Sequence, residues 1–573
     1  MIKKIGISLV IVFVLMGFQT ETISEKLATI ITNYQDRESY DEDEFPLGLF
    51  TEEYYKTEAN YAKELLKKLS KINGDDLSET ENISLKLLQF QLQESIDFYE
   101  FKEYLNPLLS DTGFHNNLPY MVRPMANYQQ VKKYLNKLNT IPTYVSQHIV
   151  LLRKGLKEGV SQPKVIFEKG YESSYDTHIV ADYKDSYYYS PFLNLPEQLS
   201  ASQKDSILAA AKVAIENSVI PEFKKVKQFF ESEFLPNTRS EIGVSSTPNG
   251  RAYYQNTIHY YTTLDLTADE IHQKGLEEVA RIKSEMMQII KEVNFKDSFA
   301  EFLKFLRTDE QFYAKTADDL LKEARNIAKK VDAQLPRYFI TLPRKPYGIA
   351  PVPDAIAPKY TTGRYIGTSK NSTEPGYYWV NTYNLSSRPL YVLPSLTVHE
   401  AVPGHHLQGS LNNELGDSIP QFRRDMYLSA YGEGWGLYCE FLADEMGIYE
   451  TPYEQFGKLT YEMWRACRLV IDTGIHTKNW TREQAVEYMS SNSALSIHNV
   501  NTEIDRYISW PGQALSYKIG ELEIRKLREK AESKLGTNFD IREFHEVILE
   551  QGTVTLAILE QRINQYIVAK SEN

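Results

Sequence analysis

Three histidines and a glutamate stand close together in the segment "LTVHEAVPGHHLQ". His399 and Glu400 begin as in the H-E-x-x-H motif of zinc peptidases, in which two histidines bind the ion from one helix face and the glutamate handles a proton. Here Pro403 stands where the second histidine would be, and the next two histidines are His405 and His406. The segment therefore indicates either a metal site with altered spacing or a chance His-Glu pair beside two histidines.

An unbroken helix would bring neither late histidine to His399. At about 100° per residue, His405 lies roughly 120° away from the helix face that carries His399. His406 returns to that face, but at about 1.5 Å per residue it lies roughly 10 Å further along the axis. A shared ion therefore requires an interruption of the helix between the histidines.

Pro403 and Gly404 provide such an interruption. Proline has no N–H to continue the helical hydrogen bonds, and its ring crowds the preceding turn, whereas glycine adopts backbone angles that other residues avoid. We expect a regular helix through Val402, a kink at the Pro-Gly pair, and His405 rather than His406 facing the first histidine. His406 would then point elsewhere, towards substrate or towards a ligand side chain.

Catalytic zinc needs a third protein ligand and an open position. The segment "SAYGEGWGLYCEFLADEMG" offers Glu433, which follows closely enough for the next helix to fold back on the first. The neighbouring Gly432 and Gly434 allow another segment to approach the backbone closely. Glu440, on nearly the same helix face, would hydrogen bond a ligand histidine. The alternative for Glu433 is an acidic residue that the helix dipole favours near an N-terminus.

The composition is that of a soluble globular protein, with 42% apolar and 25% charged residues in a chain of 573. The formal net charge is −13, from 64 basic and 77 acidic residues. Because no basic domain or stripe stands out, the charge argues against a nucleic-acid partner. It says little about peptides or other small substrates.

The first 19 residues predict a signal peptide. Lys3 and Lys4 precede an apolar run from Ile5 to Phe18, which suits a signal peptide and is short for a membrane span. We therefore expect export to the periplasm or beyond, with an uncleaved N-terminal membrane anchor as the alternative and no other membrane contact. The only cysteines, Cys439 and Cys467, stand far from this run, so a lipid anchor on cysteine is not expected. They would form one disulfide or remain buried thiols.

Long helices account for most of the chain. Apolar residues recur at three- and four-residue steps from about residue 20 to residue 340, and again after the His-Glu pair. Thr267 and Glu270 have the spacing of a capping box at the start of one helix. We predict a mainly α-helical catalytic unit over residues 20–573, formed as one body or as two lobes over about 20–290 and 291–573.

A small sheet is expected between about residues 340 and 396. Proline and glycine cluster there, and "GYYWVNTYNL" is rich in aromatic and β-branched residues. Tyr378, Val380 and Thr382 would lie on one side of such a strand. This strand would stand just before the helix of the His-Glu pair.

Charged residues within apolar helices form a further group. Arg465, Arg468 and Asp472 occur in "WRACRLVIDTGIH", where a buried ion network explains them at least as well as substrate binding. Glu503 and Arg506 are three residues apart and most simply form an ion pair on one helix face.

Several segments resemble one bacterial family. The segments "HEAVPGHHLQ", "EGWGLYCE", "WRACRLVIDTGIH" and "RYISWPGQALSYKIGELEI" are similar to the "domain of unknown function 885" family, and the likeness covers nearly the whole chain. That family looks related to the gluzincin peptidases, and resembles helical, channel-type enzymes such as angiotensin-converting enzyme and the thimet-type oligopeptidases. The resemblance implies a mainly α-helical, channel-type fold with a small embedded sheet, and Zn2+ held by His399, His405 and Glu433.

The resemblance also implies roles outside the metal set. Glu400 would be the general base. A tyrosine on a late helix, Tyr517 or else Tyr507, would stabilise the oxyanion, with packing in the core as the alternative for both. An edge strand in "GYYWVNTYNL" would bind an extended substrate, with Asn381 either as a polar contact or as an ordinary outward residue. Further candidate substrate contacts are His406, Gln513 and Lys518.

Together these features predict a zinc-dependent hydrolase. A metallopeptidase that cleaves peptides is the leading hypothesis. A metal-dependent amidase or esterase acting on another substrate would use the same residues. A non-catalytic peptide-binding protein of the same fold is the third alternative, and the intact set of ligand and base residues counts against it.

Overall fold

A computed structural model describes residues 22–168, 170–354, 357, 360–370 and 372–572 of the chain. The predicted signal peptide lies outside the described residues. The protein is mainly α-helical with one small sheet, as the sequence predicts. Among the described residues, no helix is both long enough and apolar enough to cross a bilayer.

The N-terminal part consists of helices that pack their apolar faces together. Most of the long ones begin at a Ser, Thr or Asn side chain that accepts a backbone N–H of the first turn. The helices are α1 (Ile23–Gln35), α2 (Glu52–Leu69), α3 (Glu79–Glu100), α4 (Phe114–Asn117), α5 (Tyr128–Glu158), α6 (Ser173–Asp176), α7 (Ala201–Ala214), α8 (Ile220–Phe229), α9 (Leu235–Asn237) and α10 (Gly250–Thr262). Two π-helical turns join α7, α8 and α9.

The middle of the chain leads into the sheet. Its helices are α11 (Ala268–Glu292), α12 (Phe299–Thr308), α13 (Ala317–Asp332) and α14 (Leu335–Tyr338). The capping box predicted at the start of α11 is confirmed, because the Thr267 side chain accepts the Glu270 N–H and the Glu270 carboxylate accepts the Thr267 N–H. Such reciprocal bonds satisfy two N–H groups that the helix itself cannot.

The sheet has three strands in the order β1-β3-β2. These are β1 (Tyr347–Pro351), β2 (Gly363–Ile366) and β3 (Gly376–Val380). Tyr378 and Val380 of β3 are buried on one side, as the alternation predicts, whereas Thr382 lies beyond the strand. The prediction that this segment forms an edge strand is wrong. Strand β3 is the central strand, because β1 pairs with it in parallel and β2 pairs with it antiparallel. With a strand on each side, β3 does not present a free edge to a substrate.

The C-terminal part returns to helices. They are α15 (Leu393–Glu400), α16 (His405–Glu414), α17 (Gln421–Asp425), α18 (Ser429–Glu445), α19 (Pro452–Lys478), α20 (Arg482–Asn492), α21 (Ile497–Ser509), α22 (Ser516–Leu535), α23 (Ile541–Leu549) and α24 (Leu556–Ser571). One continuous hydrophobic core includes residues from Leu27 to Ile567. The division into two lobes and the channel stay predictions. Both cysteines are free and buried.

Helices α18 and α22 approach each other closely. A Cβ on Gly434 would lie 2.6 Å from the Cα of Gly520, and a Cβ on Gly520 would lie 2.0 Å from the carbonyl oxygen of Ala430. Only glycines permit this backbone contact. The contact places the start of α18, which carries Glu433, against the start of α22, which carries Tyr517.

Candidate metal centre

The helix that begins with the His-Glu pair is broken before the next histidine. Helix α15 ends at Glu400, two residues before the predicted Val402, and α16 begins at His405. The Val402–Pro403 peptide bond within the break is cis. The rings of His399 and His405 lie 4.8 Å apart, centroid to centroid, at 89°. The predicted interruption and the choice of His405 as the histidine that faces His399 are thus confirmed, but the break is complete rather than a kink.

Gly404 makes the break possible. A Cβ at this position would lie 1.9 Å from the carbonyl oxygen of His399 and 2.5 Å from that of Val398. The Gly404 N–H donates to the Val398 carbonyl at 2.9 Å. The indole N–H of Trp435, on α18, donates to the Pro403 carbonyl at 2.9 Å. The turn is therefore held by its own backbone and by the neighbouring helix.

Two imidazoles and one carboxylate converge at this break. The Oε2 atom of Glu433 lies 3.3 Å from Nε2 of His399 and 3.5 Å from Nε2 of His405. Ligands about 2.1 Å from a tetrahedral zinc ion lie about 3.4 Å from one another. In the part of the chain that the structure describes, this is the one group of three metal-ligating side chains with ligand atoms within 4.8 Å of one another. The donor set fits a zinc ion, and the two distances from Glu433 match its tetrahedral spacing.

Glu440 orients the ring of His399 through a hydrogen bond with Nδ1. This Nδ1 donates to Oε1 of Glu440 at 2.8 Å, so Nε2 is the nitrogen that faces Glu433 and that would bind an ion. Arg465 approaches the same Glu440 oxygen at 3.7 Å. A Cβ on Gly436 would lie 2.7 Å from the His399 ring, so the glycine leaves room for it. Burial lowers the pKa of His399, but hydrogen bonds to Glu433 and Glu440 outweigh it and raise the pKa to about 10.

Glu400 lies next to this group and is held by the sheet. Its Oε2 accepts the backbone N–H of Tyr365, on β2, at 2.8 Å. The side chain is only partly buried. The edge strand nearest the centre is therefore β2, and it positions the carboxylate that the sequence assigns as the base.

Tyr427 is a candidate functional residue that the sequence reasoning missed. Its hydroxyl donates at 3.3 Å to Oε1 of Glu433, the carboxylate oxygen that does not contact the histidines. The ring lies against Gly432, where a Cβ would come within 2.5 Å of it, yet the residue is 57% exposed. Because Tyr427 stands in the loop before α18, no periodic pattern pointed to it.

Two side chains that were predicted to contact substrate, Asn381 and His406, instead make hydrogen bonds within the protein. Asn381 is fully buried, and its side-chain amide donates to the carbonyls of Ala357, Tyr360 and Thr361 while its oxygen accepts the Tyr383 N–H. Both amide N–H groups are used, and the side chain has no exposed surface that a substrate could reach. The Asn381 prediction is therefore corrected: this residue fastens the loop between β1 and β2.

The prediction that His406 contacts substrate is also corrected. It is 1% exposed, and its Nδ1 shares hydrogen bonds with the hydroxyls of Tyr365 at 3.1 Å and Ser410 at 3.3 Å. Its ring packs beside Tyr347 of β1, and burial lowers its pKa to about 4. The side chain points under the sheet, away from the ion ligands.

Lys518 and Tyr507 belong to buried networks. The ammonium of Lys518 contacts Glu278, Glu462 and Glu521 at 2.7–2.9 Å and has no exposed surface. The Tyr507 hydroxyl contacts Trp464, Arg468 and Glu503. These positions support neither the predicted substrate contact of Lys518 nor the predicted oxyanion role of Tyr507.

Tyr517 and Gln513 contact the arginine side chains of α19 and α21. The Tyr517 ring lies under the guanidinium of Arg468, 4.1 Å from ring centroid to Cζ, and the Tyr517 side chain hydrogen bonds Arg506. The Gln513 carbonyl oxygen accepts from Arg506 at 2.7 Å. The contacts of both side chains are thus with arginines, and the oxyanion role of Tyr517 stays a prediction.

Comparison with known proteins places the chain in a family. Residues 36–563 match the family described as "Bacterial protein of unknown function (DUF885)". The chain belongs to this family. The family resemblance seen in the sequence is confirmed, while the likeness to gluzincin peptidases stays a proposal. No protein with a curated description matches the chain.

Two solved structures share the fold of this DUF885 protein. One is described as "the putative lipoprotein from Colwellia psychrerythraea": it is 28% identical, with a TM-score of 0.88 over 96% of this chain and 100% of that chain. The other is described as "a putative lipoprotein of unknown function from Shewanella oneidensis", 19% identical, with a TM-score of 0.65 over 94% of this chain and 96% of that chain. The second shows the fold alone.

Proposed function

We propose that this DUF885 protein is a zinc-dependent peptidase. The observation that carries the proposal is the convergence of His399, His405 and Glu433, with ligand atoms spaced for one tetrahedral ion. A hydrolytic centre also needs oriented ligands and a general base. Glu440 orients His399, and Glu400 lies beside the group as the base. A purely structural zinc site would be closed by a fourth protein ligand, and among the described residues no fourth ligand-type side chain completes this group.

The roles of the side chains follow from their positions. A bound zinc ion would acidify water and polarise a carbonyl. Glu400, fixed through one oxygen by the Tyr365 N–H, is the base that accepts a proton from the attacking water and delivers it to the leaving nitrogen. Tyr427, whose hydroxyl contacts Glu433, is the donor available to the developing oxyanion, and Tyr517 is the alternative that the family resemblance implies.

Export is part of the proposal. The N-terminal apolar run fits a signal peptide, and both structural relatives carry the description "putative lipoprotein". We propose that the protein acts outside the cytoplasm. The preference for peptides over other amides or esters rests on the resemblance to helical peptidases.

Metal analysis tests the centre. Purified protein should contain about one zinc per chain, and Glu433→Ala should lose it. Glu445→Ala is the matched control, since Glu445 ends the same helix and is paired with Arg528 at 2.8 Å; it should keep its zinc. Unchanged zinc in Glu433→Ala would remove Glu433 from the ligand set.

Turnover tests the chemistry. Quenched fluorescent peptide libraries should be cleaved by the wild type, and Glu400→Gln should retain zinc but lose turnover by at least about 100-fold, the usual contribution of a general base. Cleavage of esters or acyl amino acids without cleavage of any peptide would favour the amidase or esterase alternative. Full activity of Glu400→Gln would refute the base assignment.

A further inference from the structure

The carboxylate that orients His399 is itself held loosely by hydrogen bonds. Glu440 is 1% exposed, and its Oε1 accepts from Nδ1 of His399 at 2.8 Å. Its Oε2 is buried and has no hydrogen-bond partner among the described residues. The terminal torsion of a glutamate has broad energy minima, so a single bond leaves the carboxylate free to turn. A buried negative charge is also costly unless a cation lies beside it.

Arg465 of α19 is the cation beside this carboxylate. Its Nη2 lies 3.7 Å from Oε1 of Glu440, the same oxygen that accepts from His399. In the part of the chain that the structure describes, no other lysine or arginine lies within 4.0 Å of Glu440, and no other carboxylate lies that close to Arg465. The two charges are therefore each other's nearest partners of opposite sign, apart from the imidazole of His399.

The guanidinium of Arg465 is fixed by aromatic rings. Its Cζ lies 4.8 Å from the ring centroid of Tyr461 and 4.4 Å from that of Trp464. Its Nη1 donates to the Tyr461 carbonyl at 3.4 Å, and the residue is only 6% exposed. A planar guanidinium stacks on such rings, whereas a lysine ammonium is a point charge on a flexible chain. Arg465 thus provides a cation whose position does not depend on Glu440.

We infer that Arg465 is a positioning residue of the metal centre: it holds the Glu440 carboxylate where Oε1 accepts from His399 and so sets how tightly His399 binds the ion. The inference rests on the zinc site of the proposed function and adds to it a residue that contacts no ligand atom. It assigns a role to one of the charged residues of "WRACRLVIDTGIH", for which the sequence offered either a buried ion network or substrate binding.

A double-mutant cycle in zinc affinity tests this chain of contacts. Arg465→Gln should lower the affinity about 10-fold, as measured by competition with a chelator of known affinity, because partners of metal ligands typically contribute that much. Glu440→Gln removes the charge on which Arg465 acts. In that background Arg465→Gln should therefore change the affinity less than about twofold, since the two residues act as one unit.

The cycle distinguishes positioning from a role in folding alone. If Arg465 only stabilised α19, its replacement would lower zinc affinity equally with and without the Glu440 charge. Arg468→Gln is the matched control: Arg468 lies one turn along the same helix, is 2% exposed and pairs with Glu503 at 3.0 Å. It should leave zinc affinity within about twofold of the wild type, because its partner does not contact a metal ligand.

Arg465→Lys is the second variant and replaces Arg465→Gln in the cycle if the glutamine variant does not fold. Lysine keeps the charge but cannot stack flat on the two rings, so zinc affinity should fall only about threefold. This smaller loss should also disappear in the Glu440→Gln background. Urea denaturation of each metal-free variant shows whether it is folded. A loss in Arg465→Lys as large as that in Arg465→Gln would overturn the inference, since the charge would then not matter.

The outcomes also separate this inference from the proposed function. If the wild type binds zinc and cleaves peptides, but the effect of Arg465→Gln is absent or persists in Glu440→Gln, the inference is overturned while the peptidase assignment stands. Coupling of the two residues in zinc affinity, without cleavage of any peptide, would support the inference while the peptidase assignment fails. A wild type without zinc affinity would overturn both.

Discussion

The imidazole of His399 shows how a candidate ligand is prepared by its neighbours. Glu440 accepts from Nδ1 at 2.8 Å and so directs Nε2 towards Glu433 and His405. Gly436 leaves space for the ring. A histidine restrained in this way needs little reorganisation to bind an ion. The carboxylate on Nδ1 also makes Nε2 more basic and therefore a stronger metal ligand.

Glu440→Gln tests this arrangement. The amide oxygen can still accept from Nδ1, but without the negative charge, so zinc affinity should fall about 10- to 100-fold while the fold is retained. Competition with a chelator of known affinity measures the change. Glu445→Gln on the same helix serves as the control. Wild-type affinity in Glu440→Gln would show that the carboxylate does not support the ligand.

Among the secondary-structure elements, the break between α15 and α16 decides whether the centre exists. On one continuous helix, His405 would be turned away from His399. The break turns the chain within four residues and starts a new helix with His405 at its first position. The close approach of Gly404 to two carbonyl oxygens shows that the turn leaves no room for a side chain there.

Gly404→Ala should therefore disrupt both the turn and the centre. Its methyl group would overlap the His399 carbonyl, so we expect a loss of about 3 kcal/mol in the free energy of unfolding and a loss of bound zinc. Urea denaturation and metal analysis measure the two effects. Gly416→Ala, where the nearest atom would be 3.7 Å away, should stay within about 0.5 kcal/mol of the wild type. A stable, zinc-loaded Gly404→Ala would contradict this account of the turn.

At the scale of the whole molecule, a buried ionic cluster ties distant helices together. Lys518 of α22 contacts Glu278 of α11 and Glu462 of α19, and Arg281 of α11 also contacts Glu462. Burial raises the pKa of Glu462, but Lys518 and Arg281 outweigh it and lower the pKa to about 2. The carboxylate therefore stays charged, and the cluster joins the helices that carry Arg465, on α19, and Tyr517, on α22.

Lys518→Met should destabilise the protein without changing substrate binding. It leaves buried carboxylates short of a cation, which typically costs about 3–5 kcal/mol. Urea denaturation measures the loss, and peptide KM should change less than about twofold. Lys526→Met is the control, because Lys526 is on the same helix but its side chain is 61% exposed. If the variant were stable but had a raised KM, the original prediction that Lys518 contacts substrate would be supported instead.

Much of the site could be predicted because its signals are local. The His-Glu pair, the Pro-Gly interruption and the acid of the E-G-W-G segment follow from helix geometry and from the needs of a tetrahedral ion. The capping box at Thr267 and the alternation around Tyr378 are likewise set by residues a few positions apart. For the same reason the helical class with a small sheet could be predicted from periodicity.

The direction in which polar side chains point depended on tertiary contacts. Asn381 and Lys518 have the residue types of substrate contacts, yet both are enclosed by partners from other segments. Tyr427 carries no sequence signal and lies on Glu433 because of how the loop before α18 folds. The sequence by itself determined which residues could hold an ion and where the helix had to break. Only the packing of segments far apart in the chain decided which polar groups are consumed by the core and which face the centre.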